Sequence, residues 1–167
     1  MEIRDALERE IDELTRVWYD AWQDGHRAIV PPELARVRTF DSFSDRLRAA
    51  IATVRVAGPP GRPVGFCIIK DDELSQLFVS REARGTGVAG ALLADGEARL
   101  AAHGVTTAWL ACAIGNDRAA RFYERAGWRR TGTITSRLET IEGPFFLDVW
   151  RYEKTLTPAF ADSGSVR

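Results

Sequence analysis

The spacing of hydrophobic positions changes along the chain. From Glu2 to Gln23 they recur three and four residues apart, which predicts an amphipathic helix. Asp24-Gly25 would end this helix, because glycine readily takes the left-handed cap conformation. Pro31-Pro32-Glu33 predicts a short helical turn, and a second helix is expected from about Ser42 or Ser44 to Ile51.

Alternating or continuously apolar stretches then predict three strands, at 53–56, 64–69 and 73–79. The remaining predicted elements are a helix at 88–103, a strand at 106–113, a helix at 116–126 and strands at 128–137 and 145–154. The order α-α-β-β-β-α-β-α-β-β indicates a mixed α+β fold, a mostly antiparallel sheet flanked by helices. Because a helix crosses between them, strands 73–79 and 106–113 should be parallel. We expect one domain over 1–156 and a disordered tail over 157–167.

The composition of the chain argues against several classes of protein. The 167 residues include 23 basic and 24 acidic side chains, and this balance argues against a dedicated nucleic-acid binder. No apolar run approaches the ~20 residues that cross a bilayer, and the charged residues 1–10 lack the apolar region of a signal peptide. We therefore expect a cytoplasmic protein that binds neither nucleic acid nor membrane. Cys67 and Cys112 should be small core residues, and no metal site is expected.

A glycine-rich run, Arg84-Gly85-Thr86-Gly87-Val88-Ala89-Gly90, joins a predicted strand to a predicted helix. Glycines let a ligand approach the backbone, and the free N–H groups of the helix start favour an anion such as phosphate. The run matches the dinucleotide pattern G-x-G-x-x-G, but positions 105–113 lack the acidic residue that would hold a ribose. A P-loop is excluded because no Lys-Ser or Lys-Thr follows.

Together with the preceding Gln76-Leu77-Phe78-Val79, this run resembles the acetyl-CoA-binding motif of the GCN5-related N-acetyltransferases. The resemblance implies that the backbone of Gly85 to Gly90 holds the CoA pyrophosphate, with Arg84 adding charge. It also implies that Leu77, Phe78 and Val79 pair their backbone with the pantetheine arm. Glu82 departs from the pattern, since the family favours Gln or Arg there.

A second motif follows Gly85 by 31 residues, beginning at Asn116, a plausible helix N-cap. By spacing alone, Tyr123 would be a half-buried aromatic residue at the edge of a helix face. The pattern N-x-x-A-x-x-F-Y-x-x-x-G-[FW] nevertheless resembles the C-terminal signature of the same family. By this resemblance, Asn116 contacts the CoA arm and Tyr123 is the general acid for the leaving thiolate.

The implied reaction moves an acetyl group from acetyl-CoA to an amine, by direct attack and without a metal. The base is open: Glu73 resembles the catalytic glutamate of the histone-acetylating branch, but it also fits a solvated carboxylate at a strand edge. Asp71, Asp72 and a water chain are alternatives, and an oxyanion donor is expected near Val79.

The acceptor is an unidentified small-molecule or peptide amine. Trp22 and His26, at the end of the first helix, are the candidates for contacting it. Two other functions compete with the enzyme: a non-catalytic acyl-CoA-binding sensor of the same fold, and a nicotinamide-dependent enzyme. A homodimer through the C-terminal strands is one of the open oligomeric states.

Overall fold

The computed structural model describes residues 2–158, which fold into one seven-stranded sheet flanked by helices. The strands, in chain order, are β1 Ile3–Asp5, β2 Arg55–Ala57, β3 Gly65–Lys70, β4 Glu73–Val79, β5 Thr107–Ala113, β6 Arg129–Thr140 and β7 Gly143–Thr155. The helices are α1 Ile11–Gly25, α2 Pro32–Val37, α3 Phe40–Ala50, α4 Val88–Ala102 and α5 Asp117–Arg125. In space the strand order is β1-β2-β3-β4-β5-β7-β6, and only β4 and β5 run parallel. The predicted mixed fold and the predicted parallel pair are therefore confirmed.

The N-terminal segment is the main correction to the predicted elements. In place of one helix over residues 2–23, the chain forms β1, a short 3-10 turn and only then α1. Arg55 on β2 holds β1 through the carboxylate of Asp5 at 2.8 Å and the carbonyl of Ile3 at 3.1 Å. Because these partners lie some fifty residues away in sequence, local periodicity could not reveal the strand.

Glu10 fixes the start of α1 from a fully buried position. Its carboxylate accepts two hydrogen bonds from Arg4, at 2.9 and 2.7 Å, and one each from the N–H groups of Leu7 and Gly61, at 3.0 Å. The hydrogen bond from Arg4 is the largest cause lowering the pKa of Glu10 to about 2. This network ties β1, the helix start and the turn between β2 and β3 together.

The other predicted elements are found within a few residues of their expected positions. Pro32 opens α2, and the Thr39 side chain caps α3 by accepting from the N–H of Ser42 at 3.2 Å. The short α2 makes three helices before β2, where the predicted order counted two. Within residues 2–158, none of the helices combines the length and apolar character that crossing a bilayer would need.

Hydrophobic side chains form a core on each face of the sheet. Helix α4 covers one face, where Leu92, Leu100 and Leu110 are fully buried. Helices α1 and α3 cover the β2–β4 part of the other face, with Trp18 and Phe43 at the centre. The one-domain prediction remains an expectation. Of the predicted tail, 159–167 lies outside the described residues.

The parallel strands β4 and β5 are joined only at one end. Their single paired position is Glu73 with Trp109, supported by a 3.2 Å hydrogen bond from the Trp109 N–H to the Asp72 carbonyl. From Leu74 onward the two strands diverge. The middle of the sheet therefore opens into a gap that widens toward the C-terminal ends of β4 and β5.

Candidate active site

A cleft of about 440 Å³ occupies this gap between the diverging strands. One wall is β4 from Leu74 to Val79, and the other is β5 from Ala111 to Ala113 together with α5. The glycine-rich run lies at the mouth of the cleft, and the end of α1 closes its side. Strand β4 is paired with β3 here but lacks a partner on its β5 side, so the backbone groups on that side are available to a ligand.

The glycine-rich run is open at the positions where side chains would block a ligand. Gly85 and Gly87 have φ values of +76° and +90°, which other L-residues rarely adopt. A Cβ atom at Gly85, Gly87 or Gly90 would meet no protein atom within 4 Å. Gly87 is also the N-cap of α4 and supplies no side-chain acceptor, so the first N–H groups of the helix remain free for an anion.

Three arginines surround this loop. Arg81 and Arg84 both bind the carboxylate of Asp24, at 2.8 and 3.3 Å, and so connect the loop to the end of α1. Burial, and next the charge of Arg84, lower the pKa of Arg118 on α5. One carboxylate thus faces three guanidinium groups, which leaves a positive field at the mouth of the cleft.

The end of α1 brings His26 into the cleft lining. Its ring stacks on Trp22, with centroids 5.7 Å apart and planes at 7°, and lies 5.9 Å from the ring of Phe78. Burial lowers the pKa of His26 to about 4, so the imidazole is neutral at pH 7. Its Nδ1 atom is buried and has no hydrogen-bond partner among residues 2–158.

Strand β4 carries a bulge where it lines the cleft. Ile68 and Ile69 of β3 are neighbours, but their partners Gln76 and Leu74 are separated by Ser75. The extra residue leaves the ladder locally unpaired and turns the strand. Ser75 and Gln76 both line the cleft.

Tyr123 lies on the α5 side of the cleft. Its ring packs against Phe122, Trp128 and Tyr152, with centroids 5.3, 6.3 and 6.4 Å away. Burial is the largest cause that raises the pKa of the Tyr123 phenol far above its usual value. Within residues 2–158 the hydroxyl forms no hydrogen bond, so it is free to donate to a ligand.

The family model described as the acetyltransferase (GNAT) family, the GCN5-related N-acetyltransferases, matches residues 11–128. The chain belongs to the GNAT family. The matched range contains both walls of the cleft, the glycine-rich run and Tyr123. As a GNAT protein the chain is an acetyl-CoA-dependent acyltransferase.

Similar proteins agree with this assignment. Two proteins named as uncharacterized N-acetyltransferases, from Mycobacterium tuberculosis and Mycobacterium bovis, are each 35% identical over 116 residues, covering 66% of this chain and 72% of theirs. A GCN5-related N-acetyltransferase structure from Rhodopseudomonas palustris has a TM-score of 0.71 at 19% identity, covering 93% of this chain and 95% of that one. PaiA N-acetyltransferase from Thermoplasma acidophilum, in complex with coenzyme A, has a TM-score of 0.69 at 18% identity, covering 92% and 98%.

Most of the GNAT residues expected to bind the cofactor lie around the cleft. The lining includes Leu77, Phe78, Val79, Arg84, Gly85, Gly87, Ala89, Gly90 and Asn116. Two others do not line it: Val88 is buried in the core, and the Thr86 hydroxyl donates back to the carbonyl of Ala83. Asn116 caps α5 by accepting from the N–H of Ala119 at 3.3 Å.

Of the other four predicted site residues, two line the cleft and two do not. His26 and Tyr123 line the cleft, but Trp22 is only 6% exposed and lies in the core behind His26. Glu73 is partly buried at the closed end of the gap and does not line the cleft. Burial is the largest cause that raises the pKa of Glu73, with Lys70 opposing it. Cys67 and Cys112 are buried, as expected.

Several residues of the cleft carry no recognisable signal in the sequence. Asp24 is predicted only as part of a helix stop, yet it contacts the loop arginines. Arg118 contributes to a local excess of basic residues, but nothing in its spacing points to the cleft. The bulge at Ser75 depends on how β3 and β4 pair, which periodicity alone does not determine.

Proposed function

We propose that this protein transfers an acetyl group from acetyl-CoA to a primary amine by direct attack, with Tyr123 as the general acid. The observation that carries the proposal is that three features border one cleft: the β5-facing edge of β4 beyond Glu73, the open glycine run and the free Tyr123 hydroxyl. Binding and chemistry would thus use neighbouring groups in a single space.

The donor would lie along β4. In this proposal the free N–H groups at the start of α4 hold the pyrophosphate, and Arg81, Arg84 and Arg118 supply positive charge. The backbone of Leu77 to Val79 would pair with the amide groups of the pantetheine arm, replacing the missing strand partner. PaiA N-acetyltransferase, which has a similar fold, is in complex with coenzyme A, and this supports a CoA donor for the present fold.

Tyr123 can serve as an acid only if its proton affinity suits the leaving thiolate. An ordinary phenol has a pKa near ~10 and an ordinary thiol near ~8.5, so transfer to a fully solvated thiolate would be uphill. Burial, however, raises the pKa of the nearby Cys112 and Cys67 thiols to about 11 and about 12. A thiolate formed in similar surroundings would also be more basic than one in water, which offsets part of the rise in the phenol pKa, so the transfer stays uphill but by less than the phenol shift alone implies.

Attack on the thioester would create an oxyanion, which backbone N–H groups can stabilise. Val79 is the donor expected from the sequence, and the bulge at Ser75 and Gln76 is a second location on the same wall. A bulge reorients backbone groups away from the ladder, so it can aim an N–H into the gap.

Glu73 is the proposed base, acting through water because it lies at the closed end of the gap. Its raised pKa brings the carboxyl closer to neutral pH, which favours proton transfer. The two alternatives are less suitable: Asp72 accepts a 3.0 Å hydrogen bond from the indole of Trp109, and Asp71 is an exposed turn residue with a φ of 55°.

The acceptor would approach on the face not covered by α4. Ala111 is exposed there although β5 is a central strand, so the floor of the cleft is open on this side. His26 supplies an uncharged polar group on the wall, and Trp22 supports its ring from behind. A neutral imidazole can accept a hydrogen bond from an incoming amine or donate one to it.

The test combines binding and turnover. Calorimetry should show that acetyl-CoA binds and NAD does not; binding of NAD alone would contradict the proposal. A thiol-release screen over polyamines, amino acids, aminoglycosides and peptide N-termini should then identify an acceptor. Acetyl-CoA binding without thiol release from any acceptor would instead favour the non-catalytic sensor.

A further inference from the structure

The bulge in β4 places Gln76 on the same face of the sheet as Glu73. In a regular strand, residues three apart point to opposite faces. Here Glu73 pairs with Lys70 of β3. Gln76 pairs with Ile68, because Ser75 is the extra residue of the bulge. Residues 68 and 70 share a face, and Ile68 belongs to the core under α1 and α3, so Glu73 and Gln76 both point away from α4.

Gln76 is a polar side chain at an otherwise apolar position. On the same face its partner Ile68 is buried, and Phe78 follows two residues later along β4. The side chain of Gln76 is half-buried and lines the cleft, and its amide forms no hydrogen bond with any residue between 2 and 158. An amide offers two donors and an acceptor, so it can hold water in the cleft.

The opposite wall of the cleft leaves room beside this amide. Trp109 of β5 pairs with Glu73 and therefore shares its face. Ala111 and Ala113 follow at intervals of two residues, so they share this face as well, and both line the cleft. Their methyl groups are the smallest side chains that a strand can present after glycine. The gap next to Gln76 is therefore narrowed only by small groups.

Glu73 lies one step further along this face, at the closed end of the gap and outside the cleft lining. Three residues of extended chain span about 10 Å at most, and both side chains can lean along the strand, so one or two waters can join the amide to the carboxylate. The charged groups that surround Glu73 come from β3, the β3–β4 turn and β7: Lys70, Asp71, Asp72 and Arg151. None of these four lines the cleft, whereas Gln76 does.

We propose that Gln76 is a positioning residue whose amide holds the water that carries a proton from the acceptor amine to Glu73. This inference rests on the proposed function and adds a residue to its proton path. The attacking nitrogen forms the C–N bond and gives a proton to the water, which passes one to the Glu73 carboxylate. The C–S bond breaks, and the thiolate takes the proton of Tyr123. Exchange with solvent then restores Glu73 and Tyr123, and Gln76 stays neutral throughout.

Gln76→Leu removes the amide and keeps a side chain of similar size. Turnover is followed as thiol release from acetyl-CoA, with hydroxylamine as a small common nucleophile and with the fastest amine of the screen. We expect kcat to fall by about tenfold or more, while KM for acetyl-CoA changes by less than about twofold. Gln23→Leu is the control, because this amide accepts from Arg27 at 3.2 Å and lies outside the cleft lining. Equal kcat values in the two variants would overturn the proposal.

Double variants separate positioning from packing. If Gln76 acts only through Glu73, then Gln76→Leu combined with Glu73→Gln should be no slower than Glu73→Gln alone. Moving the carboxylate into the cleft, with Gln76→Glu in the Glu73→Gln background, should recover part of kcat. Either additive losses in the first double variant or no recovery in the second would overturn the assignment.

A titration tests the same contact without turnover. With CoA bound, Gln76→Leu should deprive the Glu73 carboxylate of hydrogen bonds relayed by the amide, and its pKa should rise by about 0.5 or more. Carbon-13 NMR follows the carboxyl carbon, which is assigned by its absence from Glu73→Gln. A pKa that does not respond would overturn the relay.

The two proposals fail in different ways. If acetyl transfer is detected and neither kcat nor the pKa of Glu73 responds to Gln76→Leu, the role of Gln76 is wrong and the proposed function stands. If the pKa of Glu73 responds but no amine is acetylated, the contact stands and the enzyme proposal fails.

Discussion

The carboxylate of Asp24, at the end of α1, accepts a 3.3 Å hydrogen bond from Arg84, the residue just before the first glycine of the loop. The same carboxylate binds Arg81 at 2.8 Å. A negative charge therefore lies beside the backbone groups that are proposed to hold the phosphates. It positions the two arginines, but it also opposes an incoming anion.

We expect removal of the Asp24 charge to strengthen binding of the CoA donor. Asp24→Asn should tighten CoA binding by about two- to fivefold at low ionic strength, and the gain should fade near 0.5 M salt as screening increases. Stability should change by less than about 1 kcal/mol, because the ion pairs are partly exposed. Calorimetry over a salt series measures the effect, with Asp20→Asn, an exposed position on α1, as the control. Weaker CoA binding would show that positioning of the arginines outweighs repulsion.

A substitution at Gly90 should change protein stability and CoA binding in opposite directions. It lies in the first turn of α4 with open space at its Cβ position, so Gly90→Ala should stabilise the free protein by about 0.5–1 kcal/mol. If the pyrophosphate lies against this turn, the added methyl should weaken CoA binding by about tenfold or more. Denaturant unfolding and calorimetry test the two effects. Gly132→Ala, where a Cβ is also unobstructed but on β6, should not alter binding.

Tyr123→Phe removes the proposed acid and keeps the ring. Turnover should fall by about 10²-fold or more, while CoA affinity changes by less than about threefold. Since the pKa of Tyr123 is raised, the wild-type rate should show no loss from phenol ionisation up to about pH 10. Tyr152→Phe is the control: its hydroxyl bonds Glu124 and Arg130, so its loss should affect stability and not turnover. Equal effects of the two variants on turnover would remove Tyr123 from the mechanism.

Glu73 should determine the acid side of the pH profile. Its pKa is raised, so the carboxylate form needed for a base is lost at a higher pH than for an ordinary glutamate. We expect kcat/KM to fall on the acidic side of the profile as this carboxylate is protonated. Glu73→Gln should remove this pH dependence and lower kcat/KM by about 10²-fold. Glu82→Gln, an exposed position, serves as the control. An unchanged profile in Glu73→Gln would leave the water chain as the route for the proton.

His26 should make the fold sensitive to mild acid. Its folded pKa of about 4 is below the usual 6.5, so the unfolded chain binds the proton more readily. The contribution to stability is present above about pH 6.5 and is lost as pH falls toward 4, by roughly 3 kcal/mol at most. Urea unfolding at pH 7.5 and 5 should show this slope in wild type and a smaller slope in His26→Gln. His103→Gln, at an exposed site, should behave like wild type.

Local sequence patterns predicted most of the helices and strands of this protein. The strand at Glu73–Val79, the Asn116 cap and the glycine run at the start of α4 are all found, because each is defined by neighbouring residues. The strand at Ile3–Asp5 was missed because its pairing partner is β2. The contact of Asp24 with the loop arginines and the bulge at Ser75 depend on residues distant in sequence, so local periodicity does not reveal them.

The single pair between Glu73 and Trp109 has a mechanical consequence. The sheet consists of two parts, β1–β4 and β5–β7–β6, which are paired with each other only at this position. The hydrophobic core under α4 packs against both parts on one face of the sheet. A donor that bonds to β4 would lie between these two parts of the sheet and hold them apart. The angle between them, and with it the width of the acceptor groove, would then depend on whether the donor is bound.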